Sequence, residues 1–140
     1  IGLSGGPDPA CRASIPSDRS RWNLETRAFV RALLRLRRAS PALRRGSLGL
    51  RAVADCLVVE RGLETERWYG LLNANRTGRR AVLVLDGPNG SPAADQPVVR
   101  LVDLPGMATP RTTVQEGRLE VELPARSAAL LAVGGRGMPG

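Results

Sequence analysis

Arg118-Leu119-Glu120-Val121-Glu122-Leu123 is the stretch whose period decides the fold. Leucine and valine alternate with charge over six residues, as in a strand with one face in a core and the other in water. Glu116-Gly117 before the run and Pro124 after it are turn signals. Further strands are predicted at 56–61 (CLVVER), 67–75 (RWYGLLNAN), 80–85 (RAVLVL), 98–104 (VVRLVDL) and 127–133 (SAALLAV). Gly62, Asn75 to Gly78, Gly87 to Pro92 and Pro105-Gly106 punctuate them. Short strands at this spacing predict a mainly β chain, with a compact antiparallel β-sandwich over residues 48–133. Residues 134–140, rich in glycine, read as a tail.

Upstream of Leu48 the period is 3.6. Trp22, Thr26, Phe29, Leu33, Leu36 and Ser40 share one side of a helical wheel, flanked by Ala32 and Ala39, while Arg27, Arg31, Arg35 and Arg38 fall opposite. Asn23 is placed to cap this helix, and Glu25 in the first turn complements its dipole. Pro41 ends or breaks it, because the residue before a proline is pushed away from helical angles; Leu43 then tucks back before Gly46. A lone helix cannot bury so wide a stripe unaided, so its expected partner is a sheet that these residues do not supply. Trp22 is expected to pack there, and Arg37, at the stripe's edge, to lie along apolar surface or pair with an acid.

Composition bounds the remaining possibilities. The 140 residues, 42% of them apolar, suffice for one ordinary domain or a small one with an appendage. Trp22, Phe29, Trp68 and Tyr69 are the only aromatics, so any core is built of Leu, Val and Ala. No run approaches the ~18 apolar residues of a membrane span, and no basic-then-apolar leader opens the sequence; the chain reads as soluble. A net charge of +8 invites a nucleic-acid reading. However, all 21 basic residues are Arg, and few aromatics are interleaved with them to stack on bases, so a solvated basic helix face is the expectation and no nucleic-acid or membrane partner is assigned. Cys11 and Cys56 lack the paired spacing of a zinc site; a disulfide or two unpaired, semi-buried thiols both fit. Histidine is absent, which removes Ser-His and Cys-His nucleophile systems and any His-ligated metal from these residues. No metal or cofactor is expected.

The opening, Ile1-Gly2-Leu3-Ser4-Gly5-Gly6-Pro7-Asp8-Pro9-Ala10-Cys11-Arg12, has no initiator methionine and no hydrophobic period. Residues 1–21 read as a long loop, and long ordered loops are usually functional. They also suggest that the chain is the C-terminal piece of something larger. Gly5-Gly6 allows close approach of the backbone to a ligand, and Asp-Pro stiffens the loop. Asp8 and Arg12 form an acid–base pair at i, i+4. A carboxylate accepts from sugar hydroxyls, and a planar guanidinium both donates to them and fixes the carboxylate by a forked pair. On these grounds alone the two either contact a sugar or merely brace the loop.

The loop resembles the segment after the eighth barrel strand in glycoside hydrolase family 13, the α-amylase family, within its neopullulanase, cyclomaltodextrinase and maltogenic amylase branch. That family has "I-G-(L/M)-(S/T)-G-G-x-D-P-x-x-R" here, and next a helix of the type "LRxxxPALRxG", matched by Leu36 to Gly46. A strand ending in Asn is matched by Trp68 to Asn75, and a closing "LP-x-R-S-A-x-L-L" strand by Leu123 to Leu131. One departure is that Pro16-Ser17-Asp18 stands where the family often has P-W-D, so no aromatic sugar platform is expected there.

The resemblance implies that residues 1–47 are the end of a (β/α)8 barrel, with 23–40 its last helix, and that the β-domain of 48–133 packs behind it. It implies that Asp8 and Arg12 bind a glucose unit two places from the scissile bond on the non-reducing side, in an enzyme acting on α-glucans or maltooligosaccharides. Retaining glycosidases need two carboxylates about 5–5.5 Å apart; the family's lie after earlier strands, before Ile1. Glu60, Glu64 and Glu66 around a hairpin, and Glu116, Glu120 and Glu122 on or beside a polar strand face, read as solvated charge. The chain by itself is therefore expected to hydrolyse nothing, with the missing barrel as its covalent partner. The competing expectation is a non-catalytic β-sandwich that binds carbohydrate or another partner. Such modules usually expose a row of aromatics, whereas Trp68 and Tyr69 are adjacent on one strand and face opposite ways, one of them into the core.

Overall fold

The computed structural model describes residue 3 and residues 5–64, 66–85 and 98–134. Helix α1 spans Leu24–Ala39, and the Asn23 side chain accepts from the Thr26 amide at 2.9 Å. As expected, α1 ends before Pro41, with Ser40 extended; the proline then opens a second helix, α2, Pro41–Arg45, in whose first turn its missing N–H costs nothing. Ser40 joins the two, its amide closing α1 on the Leu36 carbonyl and its hydroxyl accepting from the Leu43 amide at 3.0 Å.

Eight strands follow: β1 Ser47–Val53, β2 Cys56–Leu63, β3 Glu66–Asn73, β4 Arg79–Val84, β5 Val98–Leu101, β6 Arg111–Gln115, β7 Arg118–Leu123 and β8 Ser127–Gly134. They form an antiparallel five-stranded sheet, β1-β2-β3-β8-β5, and a three-stranded sheet, β4-β7-β6. The mainly β, two-sheet architecture expected from the sequence is thus present, and RLEVEL is a strand over its whole length. Cys56, Val58, Tyr69, Leu71, Leu131 and Val133 from the larger sheet meet Ala81, Leu83, Leu119, Val121 and Leu123 from the smaller in one core.

Several sequence expectations need correction. β1 and β6 were not anticipated as strands; both lie at sheet edges and are almost wholly exposed, so neither shows the alternation that burial imposes. Gly62 is not a turn but a residue inside β2. The β2–β3 turn instead places Glu64 at φ 51°, and Ala54 and Asp55 take left-handed angles in the β1–β2 turn. β5 ends at Leu101, and the Pro105-Gly106 turn follows. The turn expected within 87–92 and most of the expected tail lie outside the described residues.

Trp68 and Tyr69 are both buried, at 3% and 2% exposure, which corrects the expectation that one alone is in the core. Tyr69 points between the sheets. Trp68 points to the opposite face of β3, where α2 covers it in a second cluster with Ala42, Ala132, Leu36 and Leu43. A helix on one end of the sheet supplies a second, smaller core that strand periodicity alone cannot reveal.

The two outer sheet faces differ in chemistry. On the small sheet Arg80, Glu122 and Arg111 form one outward cross-strand row, and Val82, the half-buried Glu120 and Thr113 form the next. On the large sheet the outward rows are Leu50, Val59, Gly70, Leu130 and Ala52, Leu57, Leu72, Ala128. Beyond α2 this second face is apolar and open. The α1 stripe is half-buried at Trp22, Thr26, Phe29, Ala32, Leu33 and Leu36, yet no α1 residue is buried, and Leu24, Val30 and Leu34 face outward. No helix among the described residues is long and apolar enough to cross a membrane.

Candidate functional site

Residues 5–22 carry the sequence-predicted site residues. The chain turns over Pro7 to Pro9 through a cis Asp8-Pro9 bond into a single 3-10 turn, Ala10–Arg12, closed by the Arg12 amide on the Pro9 carbonyl at 3.0 Å. That turn brings Arg12 back over Asp8. Arg12 Nε lies 2.8 Å from Asp8 Oδ1 and Nη2 lies 2.9 Å from Oδ2, a forked pair. Both side chains stay open, 75% exposed for Arg12 and 59% for Asp8. Each carboxylate oxygen therefore keeps a lone pair, and the guanidinium keeps N–H groups, for an outside partner. The Cys11 thiol sits 3.9 Å from Asp8 Oδ1.

The second half of the loop is anchored separately. Asp18 caps a 3-10 turn over Arg19–Arg21 by accepting from the Ser20 amide at 2.9 Å, and hydrogen bonds from Ser20 hold its carboxyl below the ordinary value. Trp22 Nε1 donates to the Pro16 carbonyl at 2.8 Å. The Arg19 and Arg27 guanidinium carbons each lie 5.6 Å from the Trp22 ring centroid, within cation–π range. Trp22 thus ties the loop to α1. Sequence reasoning placed it on the apolar stripe but missed this hydrogen bond, because no local spacing announces a partner six residues upstream.

Other expectations resolve differently. Among the described residues Arg37 pairs with no acid: it donates to the Leu43 carbonyl, which Arg61 Nη2 also approaches at 3.5 Å, so two guanidinium groups cap α2. Cys11 and Cys56 are both free, so the unpaired alternative holds, but one thiol is exposed and the other buried rather than both half-buried. Burial raises the Cys56 thiol. Glu120 is half-buried against Arg80, while Glu116 and Glu122 are exposed.

Glu66 is the main correction. It is not solvated charge; its carboxylate accepts from Ser40 Oγ at 2.5 Å, Trp68 Nε1 at 2.7 Å and the Ala42 amide at 3.1 Å. Desolvation raises its pKa, but these three hydrogen bonds outweigh it and hold the group below the ordinary carboxylate value.

Two open grooves lie among the described residues. One, of about 840 Å³, lies beside Phe29, Leu72, Met107, Pro124 and Arg126, and no carboxylate lines it. The other, of about 470 Å³, is lined by Arg79, Arg80, Arg111 and one acid, Glu122. Neither holds the carboxylate pair that glycoside cleavage demands, and no metal-type grouping of His, Cys, Asp or Glu occurs among the described residues.

No protein-family model and no curated protein sequence matches the chain. Solved structures do. An Anoxybacillus α-amylase superposes on 98% of the chain with a TM-score of 0.71 and 23% identity, and an α-amylase from Geobacillus thermoleovorans, complexed with acarbose, on 96% with 0.69 and 20%. A debranching enzyme from Nostoc punctiforme matches 81% with 0.56 and 25%. The chain spans about a quarter of these structures' lengths, 28%, 28% and 21% respectively. The fold is that of a portion of α-amylases and debranching enzymes.

Proposed function

We propose that this chain is the C-terminal part of an α-glucan-acting glycoside hydrolase of the α-amylase family, nearest in its motifs to the neopullulanase, cyclomaltodextrinase and maltogenic amylase branch. In this reading residues 1–47 close a (β/α)8 barrel, 48–133 form a stabilising β-domain, and the catalytic carboxylates lie upstream. The observation that carries it is the match of loop, helix and sandwich together, over 98% of the chain, to about a quarter of an α-amylase. The open apolar face of the large sheet and the half-covered α1 stripe fit it, since both are surfaces that a further layer of protein would bury.

Within that reading Asp8 and Arg12 form a sugar subsite. The forked pair pre-orients the carboxylate, so sugar hydroxyls meet acceptors and donors already fixed, and less side-chain entropy is lost on binding. The chain would then supply binding energy at a distance from the bond being cut, which raises kcat/KM when it is realised in the transition state. A carbohydrate-binding module of its own is less well supported, because the two strand aromatics are buried.

The test is kinetic. In the polypeptide extended upstream of Ile1, Asp8→Ala and Arg12→Ala should each lower kcat/KM on maltotriose or longer chains about tenfold or more, which corresponds to ~1.4 kcal/mol. Unchanged values for both variants would reject the subsite.

A further inference from the structure

Glu66 joins the α1–α2 junction to β3. Ser40 and Ala42, at the α1–α2 junction, lie 26 and 24 residues before it, and both donate to its carboxylate. Trp68, the third donor, is the floor on which α2 rests. α1 contributes Leu36 to that second cluster but has no buried residue of its own. The helical unit is therefore held to the sandwich chiefly at α2, where the polar contacts are the Glu66 carboxylate, which takes Ser40 and Ala42, and Arg61, which donates to the Ala42 and Leu43 carbonyls at 3.4 and 3.5 Å.

We infer that Glu66 is a latch between the helical unit and the β-sandwich, closed while its carboxylate is ionised and released when it is protonated. This holds whatever the loop binds, so it stands apart from the functional reading above.

The chemistry follows from donor counting. An ionised carboxylate accepts all three hydrogen bonds; a protonated one carries an O–H that must itself donate, and it meets only donors at Ser40, Trp68 and the Ala42 amide. Ser40 Oγ can rotate to accept through its second lone pair while still accepting from the Leu43 amide, but its own donation to the carboxylate is then lost, and the bonds from Trp68 and Ala42 fall to a neutral, weaker acceptor. The cations on the surrounding elements are all guanidinium groups: Arg37 of α1, Arg44 and Arg45 of α2, Arg61 of β2 and, on the opposite face of its strand, Arg67 of β3. Of the nearby acids, Glu64 is exposed in the β2–β3 turn, and Glu60, in register with Tyr69, lies on the opposite face of the sheet. The folded-state pKa of Glu66 lies below its ordinary value, so the latch is fully present above that ordinary value and is lost as pH falls through the folded one.

The experiment is amide hydrogen exchange on this chain across the acid range, with the Trp68 indole N–H and the Ala42 amide followed by NMR. Both signals should titrate together, at a midpoint below that of ordinary glutamate. The α1 and α2 amides should lose protection at least tenfold through that midpoint while β3 and β8 keep theirs. Glu66→Gln keeps one acceptor oxygen and cannot titrate; it should weaken α2 protection at neutral pH and abolish the acid step. Ser40→Ala, which removes one donor and retains the carboxylate, should move the midpoint upward; it keeps the idea testable if the glutamine variant does not fold. Retained α2 protection throughout, an acid step surviving in Glu66→Gln, or simultaneous loss in α2 and the strands would each overturn the latch.

Discussion

Asn73 shows how much one side chain can settle. At the end of β3 it is buried, and its amide donates to the Pro124 carbonyl at 2.7 Å and the Thr77 carbonyl at 3.0 Å while its oxygen accepts from the Asn75 amide at 3.0 Å. It closes the β3–β4 turn against the end of β7, across the two sheets. Asn73→Asp keeps the shape but removes both donors and buries a charge, so we expect a loss of about 2–3 kcal/mol in urea unfolding; a loss below about 0.5 kcal/mol would show that water replaces the amide. The role was not legible: the expected strand runs on to Asn75, whereas β3 ends at Asn73, and the Pro124 carbonyl that Asn73 reaches lies 51 residues away. Asp8 and Arg12 were readable because i, i+4 spacing is local. Glu66 was misread for the converse reason, since its donors Ser40 and Ala42 come from another element and a glutamate beside a hairpin looks like surface.

Among the elements, α1 and RLEVEL were legible because each carries the full period of its own geometry, and the Asn23 cap fixes where the helix starts. The edge strands were not, because an edge need bury nothing. α2 was hidden by its proline, which the rule for helix ends reads as a stop while the rule for helix starts reads it as a beginning. Its junction with β1 is closely packed. A Cβ on Gly46 would lie 2.5 Å from the Ala42 carbonyl oxygen and 2.6 Å from that of Gly62, both rigid backbone. Gly46→Ala should therefore cost about 1–3 kcal/mol by forcing α2 off the sheet, measured as a lower denaturant midpoint with reduced exchange protection in α2. A neutral effect would mean that α2 is not seated as described.

For the whole molecule, the asymmetry of the two sheets is the main fact. The charged rows of the small sheet suit water, whereas on the edge strand of the large sheet Leu48 and Leu50 are 59% and 64% exposed; Leu50 pairs with Val59, and in the next row Ala52, Leu57 and Leu72 stand in register. An open apolar face with an unprotected edge is prone to association. The chain alone should self-associate in sedimentation velocity as its concentration rises, and Leu50→Asp should reduce this without loss of strand content; a monomer at all concentrations would count against an uncovered face. The same face is where the proposed barrel would add its cover. The strongest test of that proposal is enzymatic. The polypeptide extended upstream of Ile1 is predicted to cleave maltotriose or a longer α-glucan with retention of anomeric configuration, while residues 1–140 alone release no product. An extended protein inert on α-glucans, or hydrolysis by the 140 residues unaided, would contradict the account.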